Sequence, residues 1–198
     1  MSEAAQRRTA GGAGRLASPL VLLAIMWIVR VADTVLPGTF NTWGLRSWDL
    51  GSAPGLVLGP LLHSGWPHLV ANTVPFLLLG CLVALDGTAR FWSVTVIIAL
   101  IGGVGTWAVN APGTLTIGAS VLVFGYFAYT VLRVFEPGRP HRFAHALIAA
   151  GVVALYGATM VSGIVAAGPG ISWQAHLFGA IGGAVAALLG GRSRRRDA

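Results

Sequence analysis

Ser120, His176 and the trio His63, His68 and Asn72 stand in three separate apolar stretches of this chain. A hydroxyl becomes a nucleophile when an adjacent base takes its proton, and imidazole can do so near neutral pH. Imidazole and amide side chains also donate hydrogen bonds. Acyl transfer needs such donors at the oxyanion of its tetrahedral intermediate, where losing one costs about 2.7–4 kcal/mol. Together these residues are the parts of a hydrolase. No Asp or Glu accompanies Ser120 or His176 in its stretch, so the unit would be a dyad without the carboxylate that orients His in a triad. The competing reading is structural: a lone Ser in a membrane helix commonly bonds its own i−4 carbonyl or packs an interface, and a lone His is often a hydrogen-bond partner.

The spacing around these residues adds to the case. His68 and Asn72 are i, i+4 and share a helix face. Gly118 and Ala119 precede Ser120, while Gly179 and Gly183 follow His176 at i+3 and i+7 on one face. A His-Gly-Gly stripe lets another backbone approach closely, and the expected partner is the strip Gly118-Ala119-Ser120. A metal alternative would take His63, His68 and His176 as three ligands. His141 and His145, a second i, i+4 pair, fall at the far end of their apolar stretch, out of reach of Ser120.

The elements that must carry these groups are membrane spans. Of 198 residues 55% are hydrophobic and only 10% charged, against about 25% charged in soluble domains. The expected class is an all-α polytopic membrane protein with six transmembrane helices, and polar groups inside spans are functional candidates by default. A span needs roughly 20 apolar residues. The spans are predicted at about 18–36, 60–84, 91–110, 116–135, 143–166 and 172–190. Residues 1–17 read as a disordered cytoplasmic N-terminus without a cleavable signal, 18–190 as one six-helix membrane domain, and 191–198 as a basic cytoplasmic tail. With spans four and six entering at about 116 and 172, Ser120 and His176 each lie about four residues in, roughly 6 Å along a helix.

The basic residues are all arginine, thirteen in number, and eleven fall on one side of a six-span arrangement. These include Arg7, Arg15, Arg90, Arg133, Arg139, Arg142 and the terminal cluster from Arg192; Arg30 and Arg46 are the exceptions. Positive charge gathers on the cytoplasmic side, which puts both termini in the cytoplasm and the Ser–His site toward the outer face. Topology thus explains the charge better than nucleic-acid binding does. The long outer connection 37–59, with Trp43 and Trp48, is expected to be either an interfacial element or a plain loop. Segments 110–115 and 167–171 read as turns.

The motifs His63-x4-His68-x3-Asn72, Gly118-Ala119-Ser120 and Ala175-His176-x2-Gly179-x3-Gly183, in this order and in spans two, four and six, resemble the rhomboid family of intramembrane serine proteases. The resemblance covers nearly the whole chain. It implies Ser120 as nucleophile and His176 as general base and then acid. His68, Asn72 and the Ser120 N–H would form the oxyanion hole. Gly118 would give close packing by the nucleophile, His63 a structural or water-organising part, and 167–171 a cap over the site. No cofactor or metal is implied. The implied partners are the lipid bilayer and transmembrane segments of other proteins, cut near the outer face of what is expected to be a bacterial plasma membrane.

The chain departs from the family pattern in three ways. Val121 follows the nucleophile where Gly is usual, and its branched side chain would narrow the cavity or alter the oxyanion geometry. Phe124 stands where many members carry a Tyr that packs on the catalytic His. Pro54 and Gly55 occupy the approximate place of a Trp-Arg pair. The alternatives are a catalytically silent relative that binds transmembrane segments, and a small transporter or channel. The latter would want charge near the midplane; Arg30 is the one central charge, with Asp33 one turn away.

Overall fold

The computed structural model describes residues 3–36, 39–136 and 141–196, with side chains described over 14–36, 39–136 and 141–190. Arg139 and the first residues of the 37–59 connection lie outside the described residues. So do the side chains of Arg7, Arg8 and the arginines from Arg192. In a bilayer every backbone polar group needs an internal partner, which favours helices closed on their own hydrogen bonds. The chain accordingly folds as α1 (Glu3–Val35), a one-turn α2 (Gly55–Leu58), α3 (Trp66–Ala84), α4 (Thr88–Val109), α5 (Ser120–Leu132), α6 (Arg142–Val165) and α7 (Trp173–Arg196). Five of these are long and apolar enough to cross a membrane; α5 with its one-turn extension, 120–135, is shorter. The helical membrane bundle expected from composition is the observed fold. Helix α1 is continuous from Glu3, through most of the polar segment expected to be disordered, and α7 continues to Arg196 through the basic tail.

Helix α7 is the centre of the bundle and packs on both α4 and α5. Glycines make this possible. A Cβ at Gly179 would run into the Val121 carbonyl, and one at Gly183 into the Gly125 carbonyl, both of α5. On the neighbouring face a Cβ at Gly182 would stand 2.9 Å from Ile98 Cα of α4. The stripe His176-Gly179-Gly183 therefore packs on Val121 and Gly125. The expected strip Gly118-Ala119-Ser120 is not its partner, because those residues precede the body of α5.

The start of α5 also differs from the prediction. Ser120 is the first residue of the helix, not about four residues inside it. Gly118 has φ +118°, and Leu115–Thr116 form a short strand, β2, paired antiparallel with β1 (Leu45–Arg46) in the register Leu45↔Thr116 and Arg46↔Leu115. Strand pairing and the left-handed glycine prevent the helix from starting earlier. His176 is the fourth residue of α7, and both side chains line the same cavity.

The connection after α1 is a folded layer of short helical turns around β1 rather than a plain loop. Trp48 Nε1 donates to the Asn110 carbonyl at 3.0 Å, and its ring packs on Trp107 with centroids 5.4 Å apart, tying the layer to the end of α4. The opposite end of the bundle is closed by charge. Arg133 is buried and donates to Asp86 at 2.6 Å and to the Leu82 carbonyl at 3.0 Å, while Tyr129 O–H donates to the same carboxylate at 2.9 Å. His145 Nδ1 lies 3.1 Å from Arg133 Nη2, which places it in this network, with α6, away from Ser120.

The α7 contact yields a prediction. Gly183→Val must push α7 away from α5 and should lower the midpoint of thermal unfolding in detergent by the equivalent of about 1–3 kcal/mol or more. Gly151→Ala, where a Cβ meets nothing within 4 Å, should leave the midpoint unchanged or raise it. Equal midpoints for wild type and Gly183→Val would contradict the packing.

Candidate active site

Two residues of α1 hold the turn that leads into α3. Arg30 Nη1 pairs with Asp33 at 2.7 Å and donates to the His63 carbonyl at 3.2 Å, with its guanidinium 5.6 Å from the Trp66 ring centroid. Asp33 also accepts from the Phe40 N–H at 2.7 Å. An intramembrane charge needs such partners, and here the pair anchors the His63 turn. His63 is buried, lies edge-on to His68 with centroids 5.1 Å apart, and accepts at Nε2 from the Ala119 N–H at 3.4 Å. It thus supports the turn before Ser120 from behind, and its Nε2 faces a backbone N–H.

That turn depends on Gly118. Its positive φ suits glycine, its N–H donates to the Gly59 carbonyl at 2.9 Å, and a Cβ there would stand 2.7 Å from His68 Nε2. The His68 ring therefore occupies the space a side chain would take. Beyond the turn, Ser120 begins α5, so the N–H groups of Ser120 and Val121 lie in the first turn and have no intrahelical acceptor. Among the described residues the Ser120 side chain makes no hydrogen bond. Asn72 donates Nδ2–H to the His68 carbonyl at 2.8 Å, four residues back, which leaves its second N–H for another acceptor.

His176 is fixed from two sides. Phe124 stacks on its ring, with centroids 3.9 Å apart and planes 8° from parallel. Its Nδ1 lies 2.8 Å from the Gly163 carbonyl of α6. A carbonyl only accepts, so Nδ1 carries the proton and the neutral ring keeps its lone pair on Nε2. A backbone carbonyl thereby fills the orienting place that a carboxylate holds in a triad. Gly163 must be small: a Cβ there would meet Phe124 at 2.7 Å and His176 Nδ1 at 3.2 Å.

These groups open onto one cavity of about 780 Å³, lined by Ser64, His68, Asn72, Thr116, Ser120 and His176 together with the 166–172 segment. All six are polar side chains, a kind tolerated at membrane depth where they line a cavity. His63, which the family resemblance gave a structural or water-organising part, is not among its lining residues. The Val121 side chain does not enter the cavity. It turns to α4, where a Cβ on Gly102 would strike it, so the departure after Ser120 fills space left by a glycine elsewhere. Phe124 keeps the ring contact expected at its position.

The arrangement thus brings a helix-terminal hydroxyl, an imidazole and several N–H donors to one cavity, a set suited to acyl transfer. Sequence reasoning missed the Gly163 carbonyl, which carries no side-chain signal, and the part of Arg30 and Asp33, whose spacing shows the ion pair but not its hold on His63. Gly118→Ala would meet both the φ +118° backbone and the His68 ring. It should lower stability by about 1–3 kcal/mol, with part of the loss recovered when His68→Ala is added. Thermal unfolding of the two single variants and the double variant checks this; additive losses would mean that the ring does not fill the glycine's space.

The family model described as Rhomboid domain matches residues 51–193. The uncharacterised protein Rv1337 of Mycobacterium tuberculosis (strain H37Rv) is 35% identical over 177 residues, covering 86% of this chain and 72% of its own length. ML1171 of Mycobacterium leprae, also uncharacterised, is 37% identical over the same share of this chain and 69% of its own length. A Bacillus subtilis protein carrying the name "Putative rhomboid protease YdcA" is 30% identical, covering 86% of this chain and 85% of its own length. A helical membrane bundle matched over most of its length by that domain belongs to the rhomboid family.

Proposed function

We propose that the protein is an intramembrane serine endopeptidase that hydrolyses peptide bonds in or near transmembrane segments of other membrane proteins. The observation that carries this reading is the meeting of Ser120 and His176 in one polar cavity, with the His176 ring held by Phe124 and Gly163 so that Nε2 is bare.

In this reading Ser120 Oγ attacks the carbonyl carbon of the scissile bond while His176 Nε2 takes the hydroxyl proton. The carbonyl oxygen, now negative, is held by donors drawn from His68 Nε2–H, the free N–H of Asn72 and the Ser120 N–H. His176 then gives its proton to the leaving amine, and the acyl group stays on Ser120. Water from the cavity, deprotonated by His176, releases the acid and restores the hydroxyl. Substrate identity follows from the setting: a site inside a bundle within a bilayer is reached by chains that are themselves in the membrane. The arginine distribution supports cytoplasmic termini and a site opening to the outer face.

The test is cleavage of a generic transmembrane-segment substrate by purified protein in liposomes. Wild type should cleave. Ser120→Ala and His176→Ala should each lower kcat/KM by roughly 10³-fold or more, with the double variant little worse than either, since the two act as one unit. Cleavage that persists in Ser120→Ala would overturn the mechanism. A folded wild type that retains the substrate segment without cutting it would leave the silent binding relative as the better reading.

A further inference from the structure

The first turn of α3 holds a second serine–histidine contact that the mechanism above does not use. Ser64 Oγ lies 3.1 Å from His68 Nδ1, and both side chains line the cavity of Ser120 and His176. Ser64 precedes Gly65, the residue that caps α3, and His68 is the third residue of that helix. The opposite edge of the His68 ring faces the Gly118 turn, close enough that a Cβ on Gly118 would stand 2.7 Å from Nε2. Among the described residues Nε2 makes no hydrogen bond. With His63 edge-on at 5.1 Å, packing fixes the ring's position.

What packing leaves open is which nitrogen carries the proton. A neutral imidazole has one donor and one acceptor. With the proton on Nδ1, the Nε2 lone pair would face the place beside the Gly118 turn where a substrate oxygen gathers negative charge, and it would repel that charge. With the proton on Nε2, the ring donates there and Nδ1 needs a donor of its own. The Ser64 hydroxyl is that donor.

We propose that Ser64 is a positioning residue: its O–H donates to His68 Nδ1 and holds His68 in the tautomer whose Nε2–H points to the oxyanion position beside Ser120. The inference rests on the acyl-transfer reading above. It gives the two imidazoles of the site opposite tautomers, each set by its second contact. An acceptor, the Gly163 carbonyl, bares Nε2 of His176 and makes it a base. A donor, the Ser64 hydroxyl, takes up the Nδ1 lone pair of His68, leaves the ring proton on Nε2 and makes that atom an anion donor.

The experiment combines kinetics with ¹⁵N NMR of histidine-labelled protein. Ser64→Ala should lower kcat by about fivefold, the weight of one neutral hydrogen bond, with KM changed less than about twofold. Ser64→Thr, which keeps the hydroxyl, should restore most of kcat. In a His68→Ala background Ser64→Ala should add nothing. Without substrate, the His68 Nδ1 resonance should be that of an unprotonated nitrogen in wild type and in Ser64→Thr, and should move toward the protonated position in Ser64→Ala. A protonated Nδ1 in wild type overturns the proposal, because Ser64 would then be the acceptor. Equal kcat for wild type and Ser64→Ala overturns it also, and does so without touching the acyl-transfer reading, which is judged by cleavage in wild type and its loss in Ser120→Ala. A fluorophosphonate adduct that forms in Ser120→Ala and is lost when Ser64→Ala is added would make Ser64 a nucleophile and overturn it in a third way.

Discussion

Helix α7 lies so close to α5 that Gly179 and Gly183 have no room for a methyl group against the Val121 and Gly125 carbonyls. In a bilayer, lipid tails are as apolar as the side chains they would replace, so helices associate through close packing and hydrogen bonds rather than by escaping water. Two glycines on one stripe give that closeness, and His176 is the next residue up the same stripe. The contact that binds α7 to α5 thus fixes the height and direction of the imidazole relative to Ser120. Gly182, facing α4, completes the wedge, and Val121 fills the space that Gly102 leaves on α4. The glycines of three helices and one valine form a single packing solution.

Around that frame several polar groups at depth have partners that also position something. Arg30 and Asp33 neutralise one another and hold the His63 and Phe40 backbones. His63 supports Ala119, and Gly118 gives its side-chain space to His68. Gly163 and Phe124 hold His176. At the other end Arg133, Asp86 and Tyr129 join the α3–α4 turn to α5. Ion pairs and hydrogen bonds tie the charged end together, while the Ser120 end opens onto a cavity.

Much of this was legible in the sequence because membrane depth makes polarity conspicuous. Ser120, His68, Asn72 and His176 stand out from apolar runs, and all four line one cavity. Three things were not legible. The start of α5 depends on a positive φ at Gly118 and on strand pairing between residues about seventy apart in sequence, neither of which apolar periodicity reports. The orienting partner of His176 is a main-chain carbonyl, which every residue possesses. Val121 appeared as an intrusion into the site because sequence shows a side chain's size but not its direction; the compensating Gly102 lies on another helix.

The central claim is that Ser120 is a hydroxyl activated by His176, and peptide-level mass mapping after reaction with a fluorophosphonate tests it most directly. The account predicts one adduct, on the peptide carrying Ser120, whose formation slows strongly in His176→Ala while the protein stays folded. An adduct formed as fast in His176→Ala, or one found on Ser162 or Ser172 of the same cavity instead, would contradict it.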